Sequence, residues 1–389
     1  MQRQRYGAAT VHAYFNSVAH FAYWLSGRGL SLQSIDDLIV RGFVTQHLPA
    51  CKCPTRCQRN VTTVRPALTH LLHVLREDGC IAEPRPLVPA AIHDELERFD
   101  AHLDEVCGLA PATRASRRMW VAKFLVERFG SNRVELSRIK PCDILNFMVR
   151  PTNHYKPGTA RVLGCALRSY LRFRSLSCGD RIEPLLAAVP AIAQWPLATL
   201  PAFLTPREVD RFLKAFDRRS TSGKRGYAMA RCMLDIALRA GEVAAIQLDD
   251  LNWRDGTLTI RRGKSRREDV LPLPVVTGRA IVEYVQARPQ STNRALFLRH
   301  QAPFDAPIAA EFVRGAVRRA LARCGLGDRF TGSHVLRHTA AMRMRCGGAS
   351  LKEIADVLRH RSLDTTTIYS KVDLPRLTAV AMPWPGGLS

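Results

Sequence analysis

Six residues in the C-terminal half of the chain have types and spacings suited to chemistry on a phosphate. Arg239 lies in Leu238-Arg239-Ala240-Gly241-Glu242, and Lys264 follows in Gly263-Lys264-Ser265. His334 and Arg337 form a His-x-x-Arg pair, and His360 occurs in Leu358-Arg359-His360-Arg361-Ser362-Leu363. Tyr369 closes Asp364-Thr365-Thr366-Thr367-Ile368-Tyr369. Taken singly, each has a commonplace reading. An Arg-x-Gly-Glu is frequent, a hairpin lysine is ordinarily solvated, and a tyrosine in a short helix is more often a packing residue than a nucleophile. Their ordered conjunction carries the weight, because guanidinium groups match phosphate oxygens with bidentate, charge-assisted bonds.

The local sequence says how such groups would be held. Arg239 sits where one helix stops and another begins. Lys264 falls at the tip of a hairpin between short strands predicted over Thr257 to Arg262 and Asp269 to Leu273, with turns at Asp255-Gly256 and Gly263. His334 and Arg337 are one helical turn apart and therefore face the same way. Ser350 and Glu353 make a capping box ahead of the apolar positions Leu351, Ile354, Ala355 and Leu358, giving a packed helix that supports His360. Asp364 is placed to cap the helix of Tyr369, and Glu242 lies at a helix start. Thr205-Pro206-Arg207-Glu208 opens the domain with an N-cap, a first-turn proline and a capping box. Helices are expected over Pro206 to Phe216, Tyr227 to Leu238 and Ala309 to Cys324.

The N-terminal half reads as helical and contains a faint internal repeat. Ala9-Thr10 followed by Val18 and Phe21 returns as Ala112-Thr113 followed by Val121 and Phe124. Ile35 and Phe43 match Ile139 and Phe147, and Arg65, Leu71 and Leu75 match Arg161, Leu167 and Leu171. The offset between copies shrinks along the way, so the first copy holds an insertion near Cys51, Cys53 and Cys57. Chance similarity between amphipathic helices is the competing explanation. Val18, Phe21, Ala22 and Leu25 give one apolar face; Val64, Leu68, Leu71, Leu72 and Leu75 give another, before Gly79. Ala166, Leu167, Tyr170, Leu171 and Phe173 form the equivalent segment before Gly179, with Arg161, Arg168, Arg172 and Arg174 beside it, either on DNA phosphates or on a solvated face. The proline runs Pro84 to Pro89 and Pro184 to Pro201 mark boundaries. The expected division is 1–88, an extra helical domain that reads as a diverged copy; 92–185, a second helical domain; 186–200, a linker; and 201–389, the mixed domain with its tail.

Across 389 residues the formal charge is +24 and the pI about 10.3, which suits a polyanionic partner, nucleic acid first. RNA and anionic membranes match the sign equally well. Hydrophobic content of 46% excludes wholesale disorder, and no apolar run approaches the roughly 20 residues needed to span a bilayer. A cytoplasmic protein is expected. Its 11 cysteines, an odd number without a secretion signal, are expected as reduced thiols. Cys51, Cys53 and Cys57 cluster, with His47 before them and His70 and His73 beyond. Their C-x-C-x3-C spacing lacks the paired pattern of common fingers, so thiols in a loop are expected ahead of a structural zinc. No cofactor is expected.

These motifs resemble the tyrosine recombinase, or phage-integrase, family. The likeness covers residues 201–389 and is sharpest over His334 to Ala341 and Leu358 to Tyr369; 92–185 is similar to the family's core-binding domain. The tail through Met382-Pro383-Trp384-Pro385-Gly386-Gly387 resembles integrases of bacterial mobile elements. Arg359 departs from the pattern, where the family usually has glycine. The resemblance implies a fold that is mainly α with a small antiparallel β-sheet: helical N-terminal DNA-binding domains, then a mixed α/β catalytic domain. It implies Arg239, Lys264, His334, Arg337 and His360 as active-site residues and Tyr369 as nucleophile. Arg239 and Arg337 would hold the phosphate oxygens in place of metal ions, His334 would take the tyrosine proton, Lys264 would protonate the leaving 5′-hydroxyl, and His360 would bond the phosphate. It further implies double-stranded DNA as partner, a tetramer in the synapse, sibling recombinases as further partners, and no need for metal or ATP. A type IB topoisomerase-like enzyme and an inactive DNA-binding accessory protein are the alternative readings.

Overall fold

The computed structural model describes residues 6–53, 57–82, 88–152, 157–179, 181–193, 201–261, 268–302, 304, 306–360 and 366–372. It is mainly helical with one small antiparallel sheet, as the sequence leads one to expect. No helix among the described residues is long and apolar enough to cross a membrane. The chain divides into two compact units, one over Ala13–Pro196 and one over Leu197–Ser389 with Met1–His12.

In the first unit the apolar side chains form two separate cores. The first is built by α1 (Ala8–Ser26), α2 (Asp37–Gly42) and α3 (Val61–Glu77), which bury Phe21, Leu25, Ile35, Phe43, Val64, Leu68 and Leu72. The apolar face of α1 is turned from the expected one: Ala22 is exposed, while Ser17 and His20 are buried. The second core is built by α4 (Ala90–Glu105), α5 (Pro111–Phe129), α6 (Pro141–Thr152), α7 (Pro157–Cys178) and α8 (Glu183–Ala187). Ala166, Leu167, Tyr170, Leu171 and Phe173 are all buried there.

The two cores share an element order. Each has a helix, a single 3-10 turn (Leu32–Ser34, Leu136–Arg138), an extended apolar residue (Ile35, Ile139), a short helix and a longer one. The first core differs by a widened turn at Phe43–His47 and a 3-10 turn at Leu48–Ala50, which lead into the cysteines. Two of the four arginines on α7 serve the fold: Arg174 pairs at 2.9 Å with buried Glu95, which also accepts from Tyr170 at 2.7 Å, and Arg168 donates to the carbonyls of Val189 and Pro190. A buried carboxylate without these donors would be costly, so they tie α4 to α7. Arg161 and Arg172 are exposed.

The second unit opens with the expected capping box of Thr205 and Glu208 on α9 (Pro206–Lys214). Then come α10 (Thr221–Asp235), α11 (Ala240–Ala245), β1 (Leu251–Asn252), β2 (Thr257–Ile260), β3 (Asp269–Pro272), α12 (Val275–Ala287), α13 (Ala310–Arg323), α14 (His334–Cys346) and α15 (Leu351–Leu358), followed by a 3-10 turn, Thr367–Val372. α10 begins six residues before the expected Tyr227, because Ser220 caps it through Gly223. The sheet order is β1-β2-β3, with Leu251 opposite Leu258 and Ile260 opposite Asp269. Two-residue β1 is too short to show a period in sequence. Leu258, Ile260 and Leu271 face the core, which α10, α12 and α13 fill.

Candidate functional site

Arg239 is the N-cap of α11, in the break after α10. Glu242, at the third position of that helix, accepts from the Arg239 N–H at 2.7 Å and pairs with its guanidinium at 2.7 Å. Arg239 Nη2 also lies 3.5 Å from the carbonyls of Leu358 and Arg359. The fork of Arg239 is thereby held at the junction of α11 with the end of α15.

Arg337 is on the buried side of α14 and is 4% exposed. Its two terminal nitrogens donate to the carbonyls of Ala237 and Leu358. Among the described residues, the non-glycine positions with left-handed backbone are Ala237 and Arg359, with φ of 54° and 52°. One supplies a carbonyl to Arg337 directly and the other follows the second carbonyl in sequence. Each such residue costs about 1–2 kcal/mol, and strain of this kind persists where surroundings over-determine it. Here it aims two backbone dipoles at one guanidinium.

Arg359 now has a physical account. It caps α15 in a conformation that favours glycine, and its guanidinium pairs at 2.6 Å with Glu242. Burial alone would raise the carboxyl of Glu242, but Arg359, the Arg239 N–H and the Arg239 guanidinium hold it below the ordinary range. Nε of Arg359 is buried without a hydrogen-bond partner. Burial, reinforced by Arg239, lowers Arg337 to about 9, so it stays charged at neutral pH.

Arg239, His334 and Arg337 line a cavity of about 350 Å³ together with Ser333, Arg314 and Glu242. His334 is the first residue of α14, one turn before Arg337, at the exposed mouth of this cavity. His360 follows α15, its backbone N–H bonded to Ala355 and its Nδ1 2.7 Å from Thr366 Oγ1. Partial burial, then the charges of Arg337 and Arg239, lower both histidines, His360 to about 4. Both are therefore neutral at pH 7.

Tyr369 is 2% exposed, in the Thr367–Val372 turn, packed with Ala237, Ala340, Ala341, Ile354 and Leu358. Its hydroxyl lies 2.8 Å from Nδ1 of His338. Burial pushes Tyr369 up to about 12, partly opposed by Arg337. Burial also lowers His338, with His334 and Arg337 adding to it, so the imidazole is neutral and shares a hydrogen bond with the phenol. The expected partner of Tyr369 was His334; the residue in contact is His338. The residue after Arg337 in His-Val-Leu-Arg-His is one turn beyond His334, a spacing that held the signal. Lys264 and Asp364 lie outside the described residues.

Cys51, Cys53 and Cys57 belong to the other unit, where Cys51 and Cys53 approach His20 and His47. His70 contacts the ring of Tyr14, and His73 pairs with Glu77.

With this geometry in view, the relatives are informative. The phage integrase family profile matches residues 202–375, the span that contains Arg239, His334, Arg337, His360 and Tyr369. A Sinorhizobium fredii protein named as an integrase/recombinase, y4rA, is 34% identical over 384 residues, covering 98% of this chain and 91% of its own. Tyrosine recombinase XerC of Roseiflexus sp. is 28% identical over 297 residues, covering 72% of this chain and 90% of its own. The fold is similar to that of the XerH site-specific recombinase solved with palindromic difH substrate in a post-cleavage complex, at a TM-score of 0.57 and 19% identity over 72% of this chain and 83% of that one. Full-length similarity to y4rA, the profile match over the arginine–histidine–tyrosine set and the shared fold converge: the chain belongs to the tyrosine recombinase, or phage-integrase, family and is a site-specific tyrosine recombinase.

Proposed function

We propose that this recombinase cleaves and rejoins duplex DNA through a 3′-phosphotyrosyl intermediate, and that it moves a mobile genetic element. The observation that carries the reading is the gathering of Arg239, His334 and Arg337 around one cavity, with Tyr369 held on the same α14 by His338. Tyr369 Oη attacks the scissile phosphorus, the phosphorus–O5′ bond breaks, and the 5′-hydroxyl departs. Arg239 and Arg337 stabilise the charge that builds on the non-bridging oxygens. His338 takes the phenolic proton, the role sequence reasoning gave to His334, which instead faces the cavity and bonds the phosphate with His360. Lys264 protonates the leaving 5′-oxygen. The phosphotyrosyl bond keeps the energy of the phosphodiester, so a 5′-hydroxyl from another strand reseals it without ATP.

In this reading 92–185 is a core-binding domain, 186–200 a linker and 201–389 the catalytic domain, with double-stranded DNA held by 92–185 and 201–389. Residues 1–88 are a diverged copy of the core-binding domain, supported by the shared element order of the two helical cores. The synapse is a tetramer, of this chain or shared with sibling recombinases, working in the cytoplasm. The test is a nicked suicide duplex built from the DNA flanking the gene, which traps the intermediate. Wild-type protein forms a covalent adduct and Tyr369→Phe forms none; an adduct that survives in Tyr369→Phe would sink the assignment.

A further inference from the structure

We propose that His20, His47, Cys51 and Cys53 form a structural zinc site that staples the first helical core. His20 projects from the buried face of α1 and is 1% exposed. His47 ends the widened turn Phe43–His47, and the two cysteines follow the 3-10 turn Leu48–Ala50. Nε2 of His20 lies 3.2 Å from Nε2 of His47 and 3.3 Å from Sγ of Cys51; Sγ of Cys53 lies 3.5 Å from Nε2 of His47. All four ligand atoms fall within 4.8 Å of one another. A tetrahedral zinc with bonds of about 2.0 Å to nitrogen and 2.3 Å to sulfur separates its ligand atoms by about 3.3–3.8 Å, close to the distances of 3.2, 3.3 and 3.5 Å among three of these pairs.

Protons leave one conflict in this arrangement: with Cys51 donating to Nε2 of His20 and Cys53 to Nε2 of His47, the two Nε2 lone pairs face each other at 3.2 Å. Nδ1 of His20 is 2.9 Å from the carbonyl of Gln58, which only accepts, so the ring proton is on Nδ1 and Nε2 offers a lone pair. If His47 donates from Nε2 to that lone pair, it has no lone pair left for Cys53. One cation satisfies all four atoms together. The Gln58 carbonyl is also the partner that fixes the tautomer of a ligating histidine, and the Cys53 N–H lies 3.4 Å from Sγ of Cys51, where it supports a thiolate. Phe43 and Trp24 wall the histidines with aromatic surface, and Phe21 packs against Phe43 behind them. Two thiolates balance the charge of Zn²⁺, while neutral histidines complete a borderline-soft ligand set that favours zinc over calcium or magnesium. Three of the four ligands lie between Phe43 and α3, where the first helical core carries the extra segment, and with His20 they join α1 to the connection between α2 and α3. Cys57 is not among the four ligand positions.

The full-length protein, purified from zinc-sufficient medium without chelator, should carry about one zinc per chain. Cys57→Ser should keep the metal, while Cys51→Ser and Cys53→Ser lose it. Because those variants risk misfolding, Co²⁺ added to metal-free wild-type protein gives a second reading: the intense visible bands of a tetrahedral ion with thiolate charge transfer, unchanged in Cys57→Ser. Reduced wild-type protein that takes up neither zinc nor cobalt would overturn the proposal. So would loss of metal in Cys57→Ser with retention in Cys51→Ser.

Discussion

Two dense polar clusters, one in each compact unit, are built on opposite principles. Around Arg239, Arg337 and Arg359 proton donors converge, and the cluster holds itself together by borrowing acceptors: Glu242 and the carbonyls of Ala237 and Leu358. Around His20, His47, Cys51 and Cys53 nitrogen and sulfur lone pairs converge. The first cluster suits an anion and the second a cation. The backbone differs in step: the arginine cluster is framed by two left-handed non-glycine residues, whereas the lone-pair cluster hangs on a widened helical turn. A site that must hold like charges together needs a rigid frame, because repulsion would otherwise disperse it. A site completed by an ion can leave the last part of its ordering to that ion.

The contrast can be broken most forcefully at Arg337. Arg337→Ala should cut adduct formation on the suicide substrate by about 10²–10³-fold, as loss of one donor to a developing oxyanion does. It should also destabilise the protein by about 1–3 kcal/mol for each buried carbonyl left unpaired. Near-normal cleavage would show that the donors serve the fold and not the phosphate.

A comparable or smaller loss is expected at His338. His338→Gln retains a hydrogen-bonding group but not a base, and should slow cleavage by about 10²–10³-fold at neutral pH, within the range for a general base. Wild-type cleavage should be flat above the ordinary histidine value and fall only in acid, since burial, His334 and Arg337 lower His338. In His338→Gln the rate should instead climb about tenfold per pH unit, because phenolate from Tyr369, pushed up to about 12, becomes more abundant with rising pH. A variant whose rate is low and independent of pH would assign His338 to packing.

Metal removal sharpens the comparison from the other side. Chelation should raise hydrogen exchange in α1 and α3 while leaving α14 protected, since the two clusters belong to separate units. Equal loss of protection in α14 would mean that the clusters are not independent. The smallest effect belongs to Arg359→Gly. Relief of the left-handed residue returns about 1 kcal/mol, and loss of one charged hydrogen bond to Glu242, which keeps Arg239, costs about 2 kcal/mol, so a net loss of about 1 kcal/mol by denaturant unfolding is expected. A gain in stability would show that strain outweighs the ion pair.

Much of the second unit was legible in the sequence because its signals are local. Capping boxes at Thr205 and Ser350, the alternation in β2 and the one-turn spacing of His334 and Arg337 all act within a few residues. The family likeness rests on the same short motifs. What escaped was decided at long range. Nothing near Tyr369 says that its hydroxyl meets His338 and not His334, because that depends on how the Thr367–Val372 turn packs against α14. The arginines of α7 looked equivalent, yet buried Glu95 and the Val189 carbonyl claim Arg174 and Arg168. Arg359 looked like a disturbance until its left-handed cap and its reach to Glu242 were seen together. The cysteine trio pointed to the segment, but His20 is 31 residues from Cys51, and its approach to that segment depends on which face of α1 is buried. The sequence by itself determined which chemical groups the protein possesses, the helices that carry them and the family they belong to. Only the tertiary structure decided which groups meet, because hydrogen bonds and ligand sets form between atoms a few ångströms apart, whatever their separation along the chain.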